Sequence, residues 1–289
     1  MASDVPAQVP AQPAAPQTLQ PYSFPHQRLS LLQRFPEKTP LVLVACGSFS
    51  PITYLHLRMF EMASDYARFN TNFEVMGGFI SPVGDGYVKK GLAPAADRLN
   101  MCRLALESAS WLIVDPWEGI NPKYTPTAKV LDHFEHEINE VLGGVQRPDG
   151  SRVPARICLL AGADLIQTMS TPGVWSPKDL DHILGRFGLM VIERSGTDVE
   201  DAISNLHTYR DNIWVIPQLV QNDVSSTKIR LFLKRDMSVR YLIPGRVIEY
   251  IESHDLYNEE APSVDGKGKA NGETSGRASP APKSSPAKS

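Results

Sequence analysis

"LVLVACGSFSPITYLHLRMFEMA", Leu41–Ala63, passes from an unbroken apolar run into a helical spacing of apolar residues. A glycine, two serines and a proline lie between them. A run without polar alternation, such as Leu41–Cys46, reads as a strand covered on both faces. From Thr53 onward the pattern predicts an amphipathic helix with Thr53 as its N-cap. Strand, glycine turn and helix in that order open a parallel α/β sheet. Ligands on such sheets lie beyond the carboxyl ends of the strands, where the strand order reverses. Gly47 permits a tight turn and close approach of a ligand to the backbone. His56 then stands third in the helix. It is either a structural residue satisfied by its neighbours or an imidazole donor added to the unpaired amides of a helix start, which favour anions.

The same alternation continues along the chain. Apolar runs at 41–46, 73–80, 111–115, 156–162, 188–193 and 212–217 predict buried strands, and 53–70, 94–109, 126–142 and 198–208 carry helical spacing. Together they predict a single Rossmann-like, doubly wound parallel sheet with helices on both faces. Residues 143–156 read as a surface excursion between a helix and a strand, and no internal repeat is present.

The 289 residues are 42% hydrophobic and 21% charged, which is globular composition. A net charge of -3 does not suggest a nucleic-acid binder. No apolar run approaches the ~18–20 residues of a membrane span, so no membrane association is expected. Cys46, Cys102 and Cys158 form no C-x-x-C pair and read as thiols of a reducing compartment. Residues 1–39 are Pro-rich and read as disordered, apart from "RLSLLQRF" (28–35), which predicts one helical turn against the body. Residues 259–289 read as a disordered Ser/Pro/Lys tail. From Ala261 onward it holds five Lys/Arg against two Asp/Glu, a charge of +3. Absence of a secretory or transit pattern and a basic tail favour nucleus and cytoplasm.

A second loop carries its own signal. In "NDVSSTKIR" (222–230), Asp223, Ser225, Ser226 and Thr227 are N-cap residue types opening another helix. Arg230 falls one turn on and can point back to the helix start. Hydroxyls, amides and a guanidinium suit a polyphosphate, although alone they also describe an ordinary capped helix. Paired with the first loop, they describe two helix starts gripping one string of phosphates. G-x-G-x-x-G, G-x-x-x-x-G-K-[ST] and G-x-S-x-G are all absent, which removes the support for a dinucleotide-binding oxidoreductase, a P-loop nucleotidase and a serine hydrolase. "DHFEHE" (132–137) matches no zinc pattern and reads as an exposed polar helix face.

Thr53-Tyr54-Leu55-His56 and Ser225-Ser226-Thr227-Lys228-Ile229-Arg230 fit the [HT]-x-x-H and S-[ST]-T-x-x-R signatures of a nucleotidyltransferase superfamily. With "ISPVGDGYVKKGL" (80–92), "LLAGADL" (159–165), "VWSPKDL" (174–180) and "RYLIPGRVIEYIESHDLY" (240–257), the chain over residues 40–258 resembles the eukaryotic nicotinamide/nicotinate mononucleotide adenylyltransferases. The resemblance implies that ATP and nicotinamide mononucleotide, or nicotinate mononucleotide, are joined to NAD or deamido-NAD with release of pyrophosphate. The rivals are a nucleotidyltransferase for another phosphate acceptor and a non-catalytic nucleotide-binding chaperone or scaffold, the latter opposed by the intact His56 and Arg230.

The roles below are likewise what the resemblance implies. His56, Arg230 and Lys89 carry the chemistry. Gly47, Ser48 and Phe49 lie along the nucleotide, with Asn222, Ser226, Thr227, Lys228 and Ile229 completing the ATP side. Lys89, Tyr124, Thr127, Gly162, Asp164, Val174, Trp175 and Gln218 form the mononucleotide or dinucleotide side, with Trp175 stacking on the pyridine ring. Tyr124 stands where this family is expected to have tryptophan. Mg²⁺ or another divalent cation is expected, held mainly by phosphates without a protein cage, and the chain is expected to form homo-oligomers.

Overall fold

The structure, a computed structural model, describes residues 22–194 and 199–258. Six parallel strands form the central sheet: β1 (Thr39–Gly47), β2 (Phe73–Pro82), β3 (Leu112–Val114), β6 (Arg156–Gly162), β7 (Leu189–Ile192) and β8 (Ile213–Ile216). Their spatial order is β3-β2-β1-β6-β7-β8. The chain therefore winds outward in one direction from β1 and in the other from β6. The reversal lies between those two strands, whose carboxyl ends are Gly47 and Gly162. All six expected strands are present, within a few residues of the expected bounds.

The sheet is covered on both sides, as unbroken apolar runs require. On β1, Leu41, Leu43 and Ala45 face a core shared with α1 (Tyr54–Asn70), α2 (Ala95–Ala105) and α8 (Gly245–Ser253). Val42 and Val44 face the opposite core, shared with α3 (Thr127–Glu135), α4 (Ala163–Ser170) and α6 (Val199–Ser204). The helix expected at 126–142 is α3 followed by a π-helical turn, His136–Val141. The one expected at 198–208 is the short α6, followed by a 3₁₀ turn at His207–Asn212. The 143–156 excursion contains a two-stranded antiparallel hairpin, β4 (Val145–Gln146) with β5 (Arg152–Val153).

Two expectations change. Residues 22–38 pack against the body, so of the segment 1–39 only residues 1–21 lie outside the described chain, together with the tail from residue 259. "RLSLLQRF" is extended rather than helical. Leu32 bridges Gln146 in parallel, and the amides of Ser30 and Gln33 donate to the carbonyls of Met76 and Gln146 at 2.8 Å. Its leucines alternate accordingly: Leu29 is buried and Leu32 exposed. Gly77 makes room for this arm, since a Cβ there would stand 2.8 Å from Leu29 Cδ1. The second change concerns "DHFEHE". His133 is only 9% exposed and lies inside the core, whereas His136 is on the surface beside Glu140.

Candidate active site

A cavity of about 420 Å³ opens at the strand-order reversal, between the ends of β1 and β6. That is the size and place expected for a ligand site in this architecture. Gly47, Ser48, Phe49, His56, Lys89, Tyr124, Thr127, Gly162, Asp164, Trp175, Gln218, Ser226, Thr227 and Arg230 all line it. Residues distant in sequence are thus brought to one hollow by the winding of the sheet.

The first loop is built differently from its sequence expectation. The left-handed residue of the turn is Phe49 (φ 45°), not Gly47. A buried non-glycine residue in that region stores strain, a feature concentrated at functional sites. Gly47 is needed for another reason: the Phe49 ring folds back, and a Cβ on Gly47 would be 3.3 Å from it. The other side of that ring meets His56 edge-on, with centroids 5.1 Å apart.

Thr53 is the N-cap of α1. Its backbone N–H donates to His56 Nδ1 at 3.0 Å, and its hydroxyl lies 2.9 Å from the same nitrogen. A backbone N–H can only donate, so Nδ1 is an acceptor and the neutral ring carries its proton on Nε2. Burial pushes the imidazole pKa down to about 4, which keeps the unliganded ring neutral near pH 7. The helix start itself offers fewer free amides than its sequence suggests, because the Tyr54 N–H donates to the Leu242 carbonyl at 3.3 Å. With Nδ1 occupied, His56 keeps Nε2–H as the side-chain donor that α1 brings to the cavity lining.

Opposite it begins α7 (Ser226–Lys234), capped by Ser225. The Lys228 N–H donates to Ser225 Oγ at 3.2 Å and the Ile229 N–H to the Ser225 carbonyl at 3.0 Å. The amides of Ser226 and Thr227 are the ones the helix leaves for a ligand. Lys228 and Ile229 do not line the cavity: the Lys228 side chain is in solvent and the Ile229 side chain is buried in the core. Asn222 and Val174 also stand outside the lining. The Asn222 side chain caps the loop by accepting from the Val224 N–H at 3.0 Å. Its own amide donates to Gln218 Oε1 at 2.7 Å, fixing a residue that does face the cavity.

The two loops are joined. Ser226 Oγ donates to the Pro51 carbonyl at 2.8 Å, and Arg230 Nη1 to the Ser50 carbonyl at 2.7 Å. Below them the buried Arg98 donates to the carbonyls of Ala93, Ser48 and Val83 at 2.7–2.9 Å. Lys89 stands near Arg230. Desolvation lowers the pKa of both, and the repulsion of Arg230 lowers that of Lys89 further. Two partly desolvated cations facing one hollow make a field that favours an anionic ligand.

The apolar wall is aromatic. Trp175 Nε1 donates to Thr168 Oγ1 at 3.1 Å, which fixes the indole plane. Across the cavity the Tyr124 ring stacks with Tyr87, centroids 6.0 Å apart. Asp164, in the first turn of α4, has a side chain 70% exposed and 3.6 Å from Arg194. A Cβ on Gly162 would meet nothing within 4 Å, so the backbone there is open to close approach.

Among the lining residues that sequence reasoning did not single out, two carry charge-bearing groups, Arg194 and Glu118. Arg194, just past the end of β7, reaches Asp223 Oδ1 at 3.4 Å as well as Asp164, spanning the crevice. Its position at a strand's carboxyl end was the available signal. Glu118 had none. It is 3% exposed and accepts from Ser81 Oγ at 2.6 Å, and burial pushes its carboxyl up to about 8. At neutral pH the folded protein thus holds a proton on Glu118 that the unfolded chain has lost. This contribution is full below about pH 4.5 and is lost as pH rises toward 8. The unfolding free energy of the wild type relative to Glu118→Gln should fall by on the order of 3 kcal/mol across that window in denaturant titrations. A pH-independent difference would show that Glu118 is ionised.

Residues 44–232 match the family described as Cytidylyltransferase-like. The chain is 54% identical over 251 residues to nicotinamide/nicotinic acid mononucleotide adenylyltransferase 1 of Saccharomyces cerevisiae, covering 86% of this chain and 63% of that protein. It thus spans somewhat less than two thirds of that relative's length. It is 39% identical over 257 residues to the Bos taurus protein of the same name, covering 78% of this chain and 91% of that one. Among solved structures, the Plasmodium falciparum nicotinic acid mononucleotide adenylyltransferase complexed with NaAD superposes with a TM-score of 0.53 at 18% identity. It covers 76% of this chain and 98% of that chain, and at that identity the likeness concerns the fold.

Proposed function

We infer, from the premise that this chain belongs to the cytidylyltransferase-like family and within it to the nicotinamide/nicotinic acid mononucleotide adenylyltransferases, that it joins ATP to nicotinamide or nicotinate mononucleotide, releasing pyrophosphate. The observation that carries this reading is one cavity holding three phosphate-seeking groups, His56, Lys89 and Arg230, beside two aromatic walls, Trp175 and Tyr124.

The reaction needs no covalent enzyme intermediate. A 5′-phosphate oxygen of the mononucleotide attacks the ATP α-phosphorus in line, and the bond to the pyrophosphate oxygen breaks. Catalysis is then alignment of two anions plus stabilisation of the charge spread over the transferring group. The neutral His56 donates from Nε2 to an α-phosphate oxygen, beside the backbone of Gly47, Ser48 and Phe49. The free amides of Ser226 and Thr227, with the Arg230 guanidinium, hold the departing phosphates. Lys89 holds the mononucleotide phosphate, and its nearness to Arg230 brings the two anions together. Trp175 stacks on the pyridine ring, Tyr124 and Thr127 border it, and Asp164 takes a ribose hydroxyl where Gly162 leaves room. Gln218, fixed by Asn222, borders the adenosine.

A divalent cation, Mg²⁺ by preference, would be held by the phosphates and would supply charge shielding there. The carboxyls lining the cavity are the protonated Glu118 and the Arg194-paired Asp164, which suits an ion held by phosphate oxygens and water. Self-association is part of the same reading; exposed Phe69, Leu219 and Val220 beside the edge strand β8 are apolar surface for it. Residence in nucleus and cytoplasm rests on the basic tail, and imaging the chain with and without residues 261–289 tests it.

Pyrophosphate release from ATP and Mg²⁺ with each mononucleotide tests the activity. Trp175→Ala should raise KM for the mononucleotide by about tenfold, the loss of a ring contact of roughly 1–2 kcal/mol, while KM for ATP stays within twofold. Equal losses for both substrates would remove the stacking role.

A further inference from the structure

His133 and Asp115 are buried polar groups that the mechanism leaves unused. Asp115, 1% exposed at the end of β3, accepts three hydrogen bonds. The Tyr22 hydroxyl donates to Oδ1 at 3.0 Å, His133 Nε2 to Oδ2 at 3.0 Å, and the Trp117 amide to Oδ1 at 3.2 Å. The Tyr22 oxygen also lies 2.9 Å from His133 Nε2. The Trp117 indole lies flat on the His133 ring, centroids 4.1 Å apart and planes 4° from parallel. Four side chains from three segments thus close one clasp: Tyr22 from the N-terminal arm, Asp115 and Trp117 from the β3 loop, and His133 from α3.

The clasp stands at the root of the loop Pro116–Thr125. That loop is tied within itself, with the Ile120 N–H donating to the Pro116 carbonyl at 2.9 Å and Asn121 Nδ2 to Thr125 Oγ1 at 3.2 Å. It brings Glu118, Tyr124 and Thr125 to the cavity. Its far side is pinned at Ser81 through Glu118.

We propose that Tyr22 and His133 are positioning residues for the mononucleotide side of the site, setting through Asp115 the loop that carries Tyr124 to the cavity. The N-terminal arm, which lies outside the matched residues 44–232, thereby becomes part of the substrate-binding apparatus. This rests on the reading that Tyr124 and Trp175 flank the pyridine ring. On the same reading ATP is held by the starts of α1 and α7, neither of which carries a clasp residue. The asymmetry separates positioning from support, since a residue that merely stabilised the fold would affect both substrates alike.

Tyr22→Phe keeps the ring and removes the hydroxyl. Losing one hydrogen bond to the buried Asp115 carboxyl corresponds to about a tenfold change. In the full-length chain at 25 °C, KM for nicotinamide mononucleotide should rise about tenfold, with KM for ATP and kcat at saturation within twofold. His133→Phe keeps a flat face under Trp117, removes the second donor and should give the same split; it serves where Tyr22→Phe does not fold. Unchanged constants, or equal rises in both KM values, overturn the proposal. Trp175→Ala is measured alongside. If it weakens the mononucleotide and Tyr22→Phe does not, positioning fails alone; if Trp175→Ala has no effect, the ring-site reading beneath it fails.

Discussion

His56→Ala is expected to lower kcat by ~10²–10³-fold at saturating substrates, the loss typical of removing one donor aimed at developing charge. The protein should remain folded, because the imidazole is half-buried at a helix start and Thr53 keeps its place as N-cap. The structure makes the prediction sharper than the sequence does. The Thr53 N–H occupies Nδ1, so the proton must sit on Nε2, and the ring is neutral down to about pH 4 in the unliganded protein. A neutral Nε2–H donor does not lose its proton as pH rises through 6.5. The His56-dependent part of kcat/KM, the ratio of wild type to His56→Ala, should therefore be flat from pH 6 to 8. If the ratio instead collapsed as pH rose through 6–7, the active group would be an imidazolium. An unchanged kcat in His56→Ala would remove the residue from the mechanism.

What sequence could and could not reveal divides along physical lines. Strands such as Leu41–Cys46 and Ile157–Leu160 are legible because burial on both faces writes a continuous apolar run. The two helix starts at the cavity are legible because capping chemistry is local: Thr53 and Ser225 act within one turn of the residues they cap. Properties set by distant partners are not local. The strained residue is Phe49 rather than Gly47, because Arg98, Arg230 and Ser226 seize the carbonyls of Ser48, Ser50 and Pro51 from other parts of the chain. The Ile229 amide is consumed by its own helix, donating to the Ser225 carbonyl, which the motif alone does not show. His133 looks like a surface residue in "DHFEHE" because its partners, Tyr22, Asp115 and Trp117, all lie in other segments. The packing of residues 22–38 escaped because a proline-rich composition says nothing about a groove prepared by Gly77 and the Gln146 strand edge.

The second large effect belongs to Arg230. It has two tasks that one residue can combine only with a planar, forked cation. Nη1 donates to the carbonyl of Ser50, a fully buried residue, and so ties α7 to the turn that positions His56. Nη2 reaches Thr227 Oγ1 at 3.4 Å, and the guanidinium lines the cavity near Lys89, where the proposed reaction would gather negative charge on the departing pyrophosphate. Arg230→Ala removes both at once: the turn loses its tether and the leaving group its counter-charge. A fall in kcat/KM for ATP on the order of 10³-fold is expected, within the range seen when an arginine that stabilises phosphoryl-transfer charge is removed. Arg230→Lys separates the tasks, since a single ammonium restores charge but cannot both hold Ser50 and reach the phosphates. It should recover part of the loss, leaving about a 10–10²-fold deficit. Direct binding of ATP with Mg²⁺ by calorimetry then assigns the remainder: a defect in kcat with near-normal ATP binding points to the leaving group, whereas a matching loss of binding points to the tether. Wild-type rates in Arg230→Lys would mean that charge alone suffices and that the Ser50 bond is idle. Wild-type rates in Arg230→Ala would take the polyphosphate out of this crevice altogether.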